Sequence, residues 1–265
     1  MSNETYAPIY QSSYLNANGC VISNDATSPN TVLDISAGMV RDSTNTYDMV
    51  IGNFLGINPG LTPNTVSFIN SAIVGPGGID VGTVAASTVY NIYVILDLTT
   101  YISACIMSTA SPSVGPTMPY NYGAYRLIGH ATTNSSAHFL LGYWSGVNTT
   151  RLFMYDQVQA TAISAGNATV ATAISLVTLV PSVQNRPIWI YSGYVPATAG
   201  NYLRLLTYGS GNTDIQITGQ VATVQVTSNS LIMARLNVAA PSIQYQVASS
   251  SDSCSIFVAG YQFDL

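Results

Sequence analysis

Asp42 and Asp48 form the closest polar constellation of acidic residues in the chain, because they flank a short segment rich in Ser, Thr and Asn. With Thr44 and Thr46 they could supply oxygen ligands to a calcium ion. The segment lacks the central Gly and the terminal Glu of an EF-hand loop. We therefore favour the alternative, a hairpin in which Asp and Asn side chains cap backbone N–H groups and Arg41 pairs with one carboxylate. We expect no metal ion and no cofactor.

His130 and His138 are the only histidines, and neither stands in an HExxH motif. No GxSxG motif accompanies any serine, so the sequence gives no local support for a catalytic triad. Hydrolysis of a glycosidic bond would need two carboxylates on either side of it, whereas the acidic residues are scattered along the chain. We expect a protein that is not an enzyme, and keep a carbohydrate-degrading enzyme as the third alternative.

Aromatic residues are the other candidates for a binding site, because the chain has 18 Tyr but few charged residues. Trp189, Tyr191, Tyr194 and Tyr202 could form a platform that stacks on sugars or fills a protein interface. Alternatively, alternate residues of one strand line the core, which is the interpretation we favour. These four residues are the candidate receptor contacts.

The three cysteines, Cys20, Cys105 and Cys254, are odd in number, lie far apart and show no metal-ligand spacing. They are best interpreted as small buried apolar residues. A bridge from Cys254 to either of the other two remains open at this point.

The composition is poor in charge: 6 Lys and Arg against 11 Asp and Glu make 6% of the chain, whereas soluble domains have about 25%. With 48% hydrophobic residues, the surface must consist largely of hydroxyl, amide and apolar groups. Hiding part of such a surface favours assembly into an oligomer.

Charge also bears on partners and location. The net charge of −5, without a basic cluster, argues against nucleic acid and against anionic membranes. No stretch of 18 residues is uninterruptedly apolar, so we expect no membrane insertion. The first four residues lack the basic and apolar regions of a signal peptide, so we expect synthesis in a cytoplasm without export.

The apolar pattern has a period of two, most clearly from Tyr90 to Leu98, which predicts strands with one face on a core. Gly, Asn and Pro clusters such as Gly75 to Gly78 predict tight turns between them. One short stretch, Ser67 to Val74, is compatible with a helix. Further strands are predicted at residues 102–106, 139–144, 151–155, 188–191, 202–207, 214–226, 231–238, 243–247 and 255–263.

This pattern predicts an all-β protein of two β-sandwich, jelly-roll-like domains with little or no helix. We place the boundary near residue 147, which gives an N-terminal β domain over residues 1–147 and a C-terminal β-sandwich over residues 148–265. We expect residues 1–18 to form an arm held in order by neighbouring subunits or by its own domain.

Several segments resemble virion proteins of tailed bacteriophages, in particular β-rich modules of tail fibres. The resemblance covers most of residues 18–145 and is one of style only beyond them. It implies a non-enzymatic virion component, commonly a homotrimer, and supplies no catalytic or receptor-contact positions. The segments that carry it are NGCVISND (residues 18–25), LDISAGMVRDSTNT (33–46), GGIDVGT (77–83), STVYNIYVI (87–95) and YRLIGHATT (125–133).

Two functions follow as hypotheses. The first is a tail-fibre or tail-tip protein whose N-terminal domain attaches it to the virion while the C-terminal domain presents a Tyr- and hydroxyl-rich surface to a host glycan. The second is a capsid decoration or head-fibre protein that clamps or studs the head, since the chain has no heptads or Gly-X-Y repeats of a fibre shaft.

Overall fold

The computed structural model describes residues 17–52, 67–145, 150–156, 160–182, 186–237 and 240–264. Within these ranges every regular element is a β-strand and every ladder between named strands is antiparallel, which confirms the all-β fold class. No helix in these ranges has the length and hydropathy needed to cross a membrane. The predicted N-terminal arm lies outside the described residues as far as residue 16.

The largest sheet runs through most of the described chain. Two further strands pair beside its main path: β12 (Thr161–Gly166) with β19 (Ser253–Asp264) and β13 (Thr172–Ser175) with β18 (Ala240–Val247). Its main path, in spatial order, is β16 (Ile215–Thr218), β15 (Tyr202–Thr207), β18 (Ala240–Val247), β17 (Val226–Asn237), β14 (Arg186–Val195), β19 (Ser253–Asp264), β11 (Thr150–Tyr155), β10 (Gly142–Ser145), β2 (Ile22–Asn24), β3 (Val32–Ile35) and β6 (Ser67–Asn70).

Two three-stranded sheets complete the fold, and together the packed antiparallel sheets are consistent with a β-sandwich. The first contains β1 (Ala17–Gly19), β4 (Gly38–Arg41) and β5 (Asp48–Ile51); the second contains β8 (Ser103–Ser108), β7 (Val89–Asp97) and β9 (Tyr122–Thr132).

Strand β7 shows how the alternating pattern is used. Its even-numbered residues, from Tyr90 to Leu96, are buried in the main core, as the period of two predicts. The opposite face is covered too, because Tyr93 and Ile95 pack with Ile106 in a second small cluster. Both faces of β7 are therefore buried, whereas the sequence predicted only one.

Two secondary-structure predictions are wrong. The stretch predicted as helix begins with strand β6, which pairs with β3, and then turns. The strand predicted over residues 214–226 is β16 alone, followed by a turn in which Thr223 adopts a positive φ of 61° and donates its N–H to the carbonyl of Pro196. Such a backbone conformation cannot continue a strand.

The two halves of the chain share one hydrophobic core. Its buried residues extend from Ala17 to Phe263 in one cluster, beside which the small cluster of Tyr93, Ile95 and Ile106 lies apart. Strands β10 and β11 pair on either side of residues 146–149, which lie outside the described residues together with the predicted boundary. The division into two domains remains a prediction.

Candidate functional site

The Asp42 segment is a hairpin turn between β4 and β5, whose last pair places Arg41 opposite Asp48. Arg41 Nη1 lies 3.3 Å from Asp48 Oδ1. The buried Asp42 carboxylate accepts the backbone N–H groups of Thr46 (2.6 Å) and Tyr47 (2.7 Å) at Oδ1. Its Oδ2 accepts both the N–H and the hydroxyl of Thr44.

These four hydrogen bonds to the Asp42 carboxylate close the turn. In the described part of the chain, no three His, Cys, Asp or Glu side chains are grouped as metal ligands. Burial raises the pKa of Asp42, but the hydrogen bonds from Thr44, Tyr47 and Thr46 together lower it by more. The pKa of Asp42 therefore lies below its ordinary value.

The lowered pKa predicts an acid-dependent loss of stability. A carboxylate with a depressed pKa in the folded state stabilises the protein fully above the unfolded value near 3.9, and this contribution is lost as pH falls through the folded pKa. We expect Asp42→Asn to cost about 1–2 kcal/mol at pH 6 and less at pH 3. Urea unfolding at both pH values measures this, with Asp156→Asn as the exposed control. An equal cost of Asp42→Asn at both pH values would contradict the assignment.

The four aromatic candidates do not form one platform. Tyr194 is fully buried and donates its hydroxyl to Asp252 (2.9 Å). Tyr202 lies on β15 beneath the guanidinium of Arg204, whose Cζ is 4.2 Å from the ring centroid. Trp189 and Tyr191 are half-buried on the opposite face of β14 from the core residues Ile188 and Ile190.

Strand register adds two partners that sequence reasoning missed. Leu231, 55% exposed, lies opposite Trp189 on β17. The ring of Phe257 on β19 lies 5.9 Å from that of Tyr191. We call Trp189, Tyr191, Leu231 and Phe257 the outer aromatic patch. No local sequence signal joins these residues, because Leu231 lies 42 positions after Trp189 and Phe257 lies further still along the chain. The pairing of β17 and β19 with β14 brings them together.

Asp252 is the acceptor for a buried network at the end of β14. Besides Tyr194, it accepts the backbone N–H groups of Ala197 (2.7 Å) and Ser249 (3.0 Å) and the side-chain amide of Asn201 (2.9 Å). Burial raises the pKa of Asp252, but these bonds outweigh it and the net pKa is lowered. The network holds the turns after β14 and before β19 together.

The two histidines lie in different environments. His138 is exposed on a turn. His130, on β9, is 1% exposed, and its ring centroid lies 4.4 Å from that of Phe263 and 6.1 Å from that of Trp144. Burial, and secondarily the charge of Arg186, lower the pKa of His130 well below its ordinary value, so its imidazole is neutral. Its Nδ1 has no hydrogen-bond partner in the described part of the chain.

A cleft of about 330 Å³ lies beside His130, where three separate segments meet. We call it the His130 cleft. Its walls come from the start of β7, the loop after β8 and the turn after β13. The lining residues are Ser87, Thr88, Val89, Asn91, Thr109, Ser111, Pro112, His130, Val177, Thr178, Pro181 and Ser182.

The three cysteines are buried free thiols, so neither disulfide that the sequence left open is formed. Burial raises the pKa of each thiol to about 12. Such thiols are protonated and packed as small apolar groups, as the sequence indicated.

Arg151 connects the two halves of the chain from a buried position on β11. Its Nη1 donates to the carbonyl of Cys20 (2.7 Å) and its Nη2 to that of Gly19 (2.5 Å). Gly19 and Cys20 both have positive φ, at 70° and 52°, and for Cys20 this is a backbone conformation that non-glycine residues rarely adopt. The guanidinium therefore holds an unusual turn in place. Sequence reasoning did not single out this arginine.

Comparison with known proteins gives no family. No protein-family model matches the chain, and no curated protein matches it. Among solved structures, it is similar to an exo-β-1,3-galactanase from Phanerochaete chrysosporium crystallised with galactose, at 10% identity over 92% of this chain and 68% of that one, with a TM-score of 0.23. It is also similar to a Cry1Da tryptic core variant from Bacillus thuringiensis, at 8% identity over 94% of this chain and 51% of that one, with a TM-score of 0.19. Similarity at this level carries no functional argument.

Proposed function

We propose that this chain is a non-enzymatic structural protein of a tailed-bacteriophage virion, an oligomeric tail-fibre or tail-tip component that binds a neutral glycan on the host surface. The resemblance of residues 18–145 to virion proteins motivates the class of protein. The observation that carries the binding function is the outer aromatic patch on β14, β17 and β19.

The patch has the chemistry of a sugar-binding surface. Trp189 and Tyr191 offer ring faces on which the C–H groups of a sugar can stack. The next cross-strand positions on the same face are Asn229, opposite Tyr191, and Thr227, opposite Gly193. Both are exposed, and their amide and hydroxyl groups can exchange hydrogen bonds with sugar hydroxyls.

The chain has few charged groups, and some of them are not free at its surface. Arg151 and Arg186 are buried, and Arg41 is paired with Asp48. Binding through stacking and neutral hydrogen bonds has little Coulomb energy for salt to screen. Adsorption that depends on this surface is therefore expected to be tolerant of salt.

We expect Trp189→Ala to weaken adsorption to host cells by about tenfold, because it removes the larger stacking surface of the patch. Tyr120→Ala, which removes a tyrosine that is 91% exposed elsewhere, is the matched control and should leave adsorption unchanged. Particles carrying each variant are compared by counting unadsorbed phage at low and high salt. Unchanged adsorption by Trp189→Ala, or loss of most wild-type adsorption at high salt, would contradict the proposal.

A capsid decoration or head-fibre role is the second candidate, and it draws on the same patch. Leu231 and Phe257 make it apolar enough to pack against a neighbouring protein subunit. Gold-labelled antibody on intact particles separates the two: label at the tail end supports adhesion, and label over the head supports decoration. Particles lacking a decoration protein should lose resistance to heat while still adsorbing.

A further inference from the structure

The His130 cleft is built from backbone that is fixed by hydrogen bonds on both walls. On one wall, Ser87 donates its N–H to the carbonyl of Asn134 (2.9 Å) and Thr88 donates its own to Thr133 Oγ1 (3.0 Å). On the other, Leu179 donates its N–H to the carbonyl of Leu176 (2.9 Å). The volume of about 330 Å³ lies at the small end of the range for ligand sites, which are largely preformed.

The lining combines hydroxyl and amide groups with small apolar surfaces and includes no Asp, Glu, Lys or Arg among the described residues. Asn91 donates its amide to the carbonyl of Ala110 (2.7 Å), which fixes the side chain and leaves Oδ1 as an acceptor. Ser87 and Thr109 are exposed residues of the lining, and their hydroxyls have no partner within the described residues. Val89 and Val177 supply apolar contact on opposite walls.

His130 is a lining residue of the cleft, although its side chain is buried. The neutral imidazole carries one N–H donor and one nitrogen acceptor, and Nδ1 lacks a partner although it is buried. A buried polar atom without a partner is costly, so a ligand hydroxyl that reaches the ring is favoured. A hydroxyl group both donates and accepts, and therefore fits either tautomer.

We propose that the His130 cleft binds one unit of a neutral sugar. A charged ligand would lose its hydration in a lining without countercharge, and a purely apolar ligand would leave the hydroxyl and amide groups unpaired. A neutral sugar offers hydroxyls to the polar groups and C–H groups to the two valines. The cleft shares no residue with the outer aromatic patch, so this second site does not rest on the proposed adhesion surface.

The test is titration of the isolated protein with glucose, galactose, mannose and N-acetylglucosamine, followed by NMR of ¹⁵N-labelled histidine. We expect at least one sugar to shift the imidazole nitrogens of His130 while those of the exposed His138 stay unchanged. The dissociation constant should be about millimolar, as for a small polar ligand. N-acetylneuraminic acid, which is charged, should bind at least about tenfold more weakly.

Two variants locate the site without altering buried residues. Thr178→Trp places a large side chain in the cleft and should abolish the shift, and Thr109→Val should weaken binding about fivefold by removing one hydroxyl. Thr99→Val, an exposed threonine elsewhere, is the control for Thr109→Val. Absence of a His130 shift with all four sugars, or a shift that Thr178→Trp leaves intact, would overturn the proposal. Trp189→Ala should not change it, so failure here is separable from failure of the adhesion surface.

Discussion

Replacement of Asp252 by Ala lowers the free energy of unfolding by about 3–4 kcal/mol at pH 7. The carboxylate accepts four hydrogen bonds, and the substitution leaves the fully buried hydroxyl of Tyr194 and the N–H of Ala197 without their acceptor. Each buried donor that loses its partner costs about 1–3 kcal/mol. The loss is large because the same oxygen atoms also join the turn before β19 to that after β14.

Urea unfolding of the purified variant measures this change, and Asp156→Asn is the matched control because Asp156 is exposed. The pKa of Asp252 is lowered in the folded state, so its contribution is present above the unfolded value near 3.9 and fades as pH falls through the folded pKa. The gap between wild type and Asp252→Ala should therefore narrow in acid. A cost below about 1 kcal/mol at pH 7 would show that the hydrogen bonds of Asp252 contribute little to the stability of the fold.

Replacement of Arg151 by Met has the second large effect, a loss of about 2–4 kcal/mol. Methionine can fill the space of the arginine stem, but it leaves the carbonyls of Gly19 and Cys20 without their charged donors. Those two residues hold positive φ values, so the turn between β1 and β2 loses the contact that fixes it.

Arg151→Lys should recover only part of the loss, because an ammonium group lacks the planar fork that reaches two carbonyls at once. Arg235→Met, on the exposed side of β17, is the control and should cost less than about 0.5 kcal/mol. Thermal unfolding of the three variants gives the comparison. If Arg151→Met is as stable as Arg235→Met, the guanidinium does not hold the two halves together.

Strand identity was largely predictable because alternation is a local property. Tyr202 to Thr207 is a strand with the predicted bounds, and the alternation from Tyr90 to Leu98 matches β7 to within a residue at each end. The helix predicted from Ser67 fails because pairing with β3 overrides the weak local preference of a short apolar stretch. The strand predicted over residues 214–226 ends already at Thr218, and the turn that follows contains a positive φ at Thr223.

The candidate sites were much less predictable, because they depend on which strands become neighbours. Trp189 and Tyr191 were recognisable as aromatic candidates, but Leu231 and Phe257 join them only through the register of β17 and β19 with β14. Tyr194 does not belong to this surface, because its ring is fully buried and its hydroxyl donates to Asp252. The His130 cleft combines His130 with residues from three other segments, and no local pattern indicates that they meet.

The position of β19 has a consequence for the order in which the protein is made. This strand pairs with β11, β12 and β14, yet it follows all three in the chain. A ribosome therefore releases three strands before the one that joins them, and each presents an unpaired edge during that interval. Unpaired edges favour association between nascent chains. We therefore expect the yield of native protein to fall when translation is slowed, because the interval lengthens, and to rise when a chaperone covers those edges.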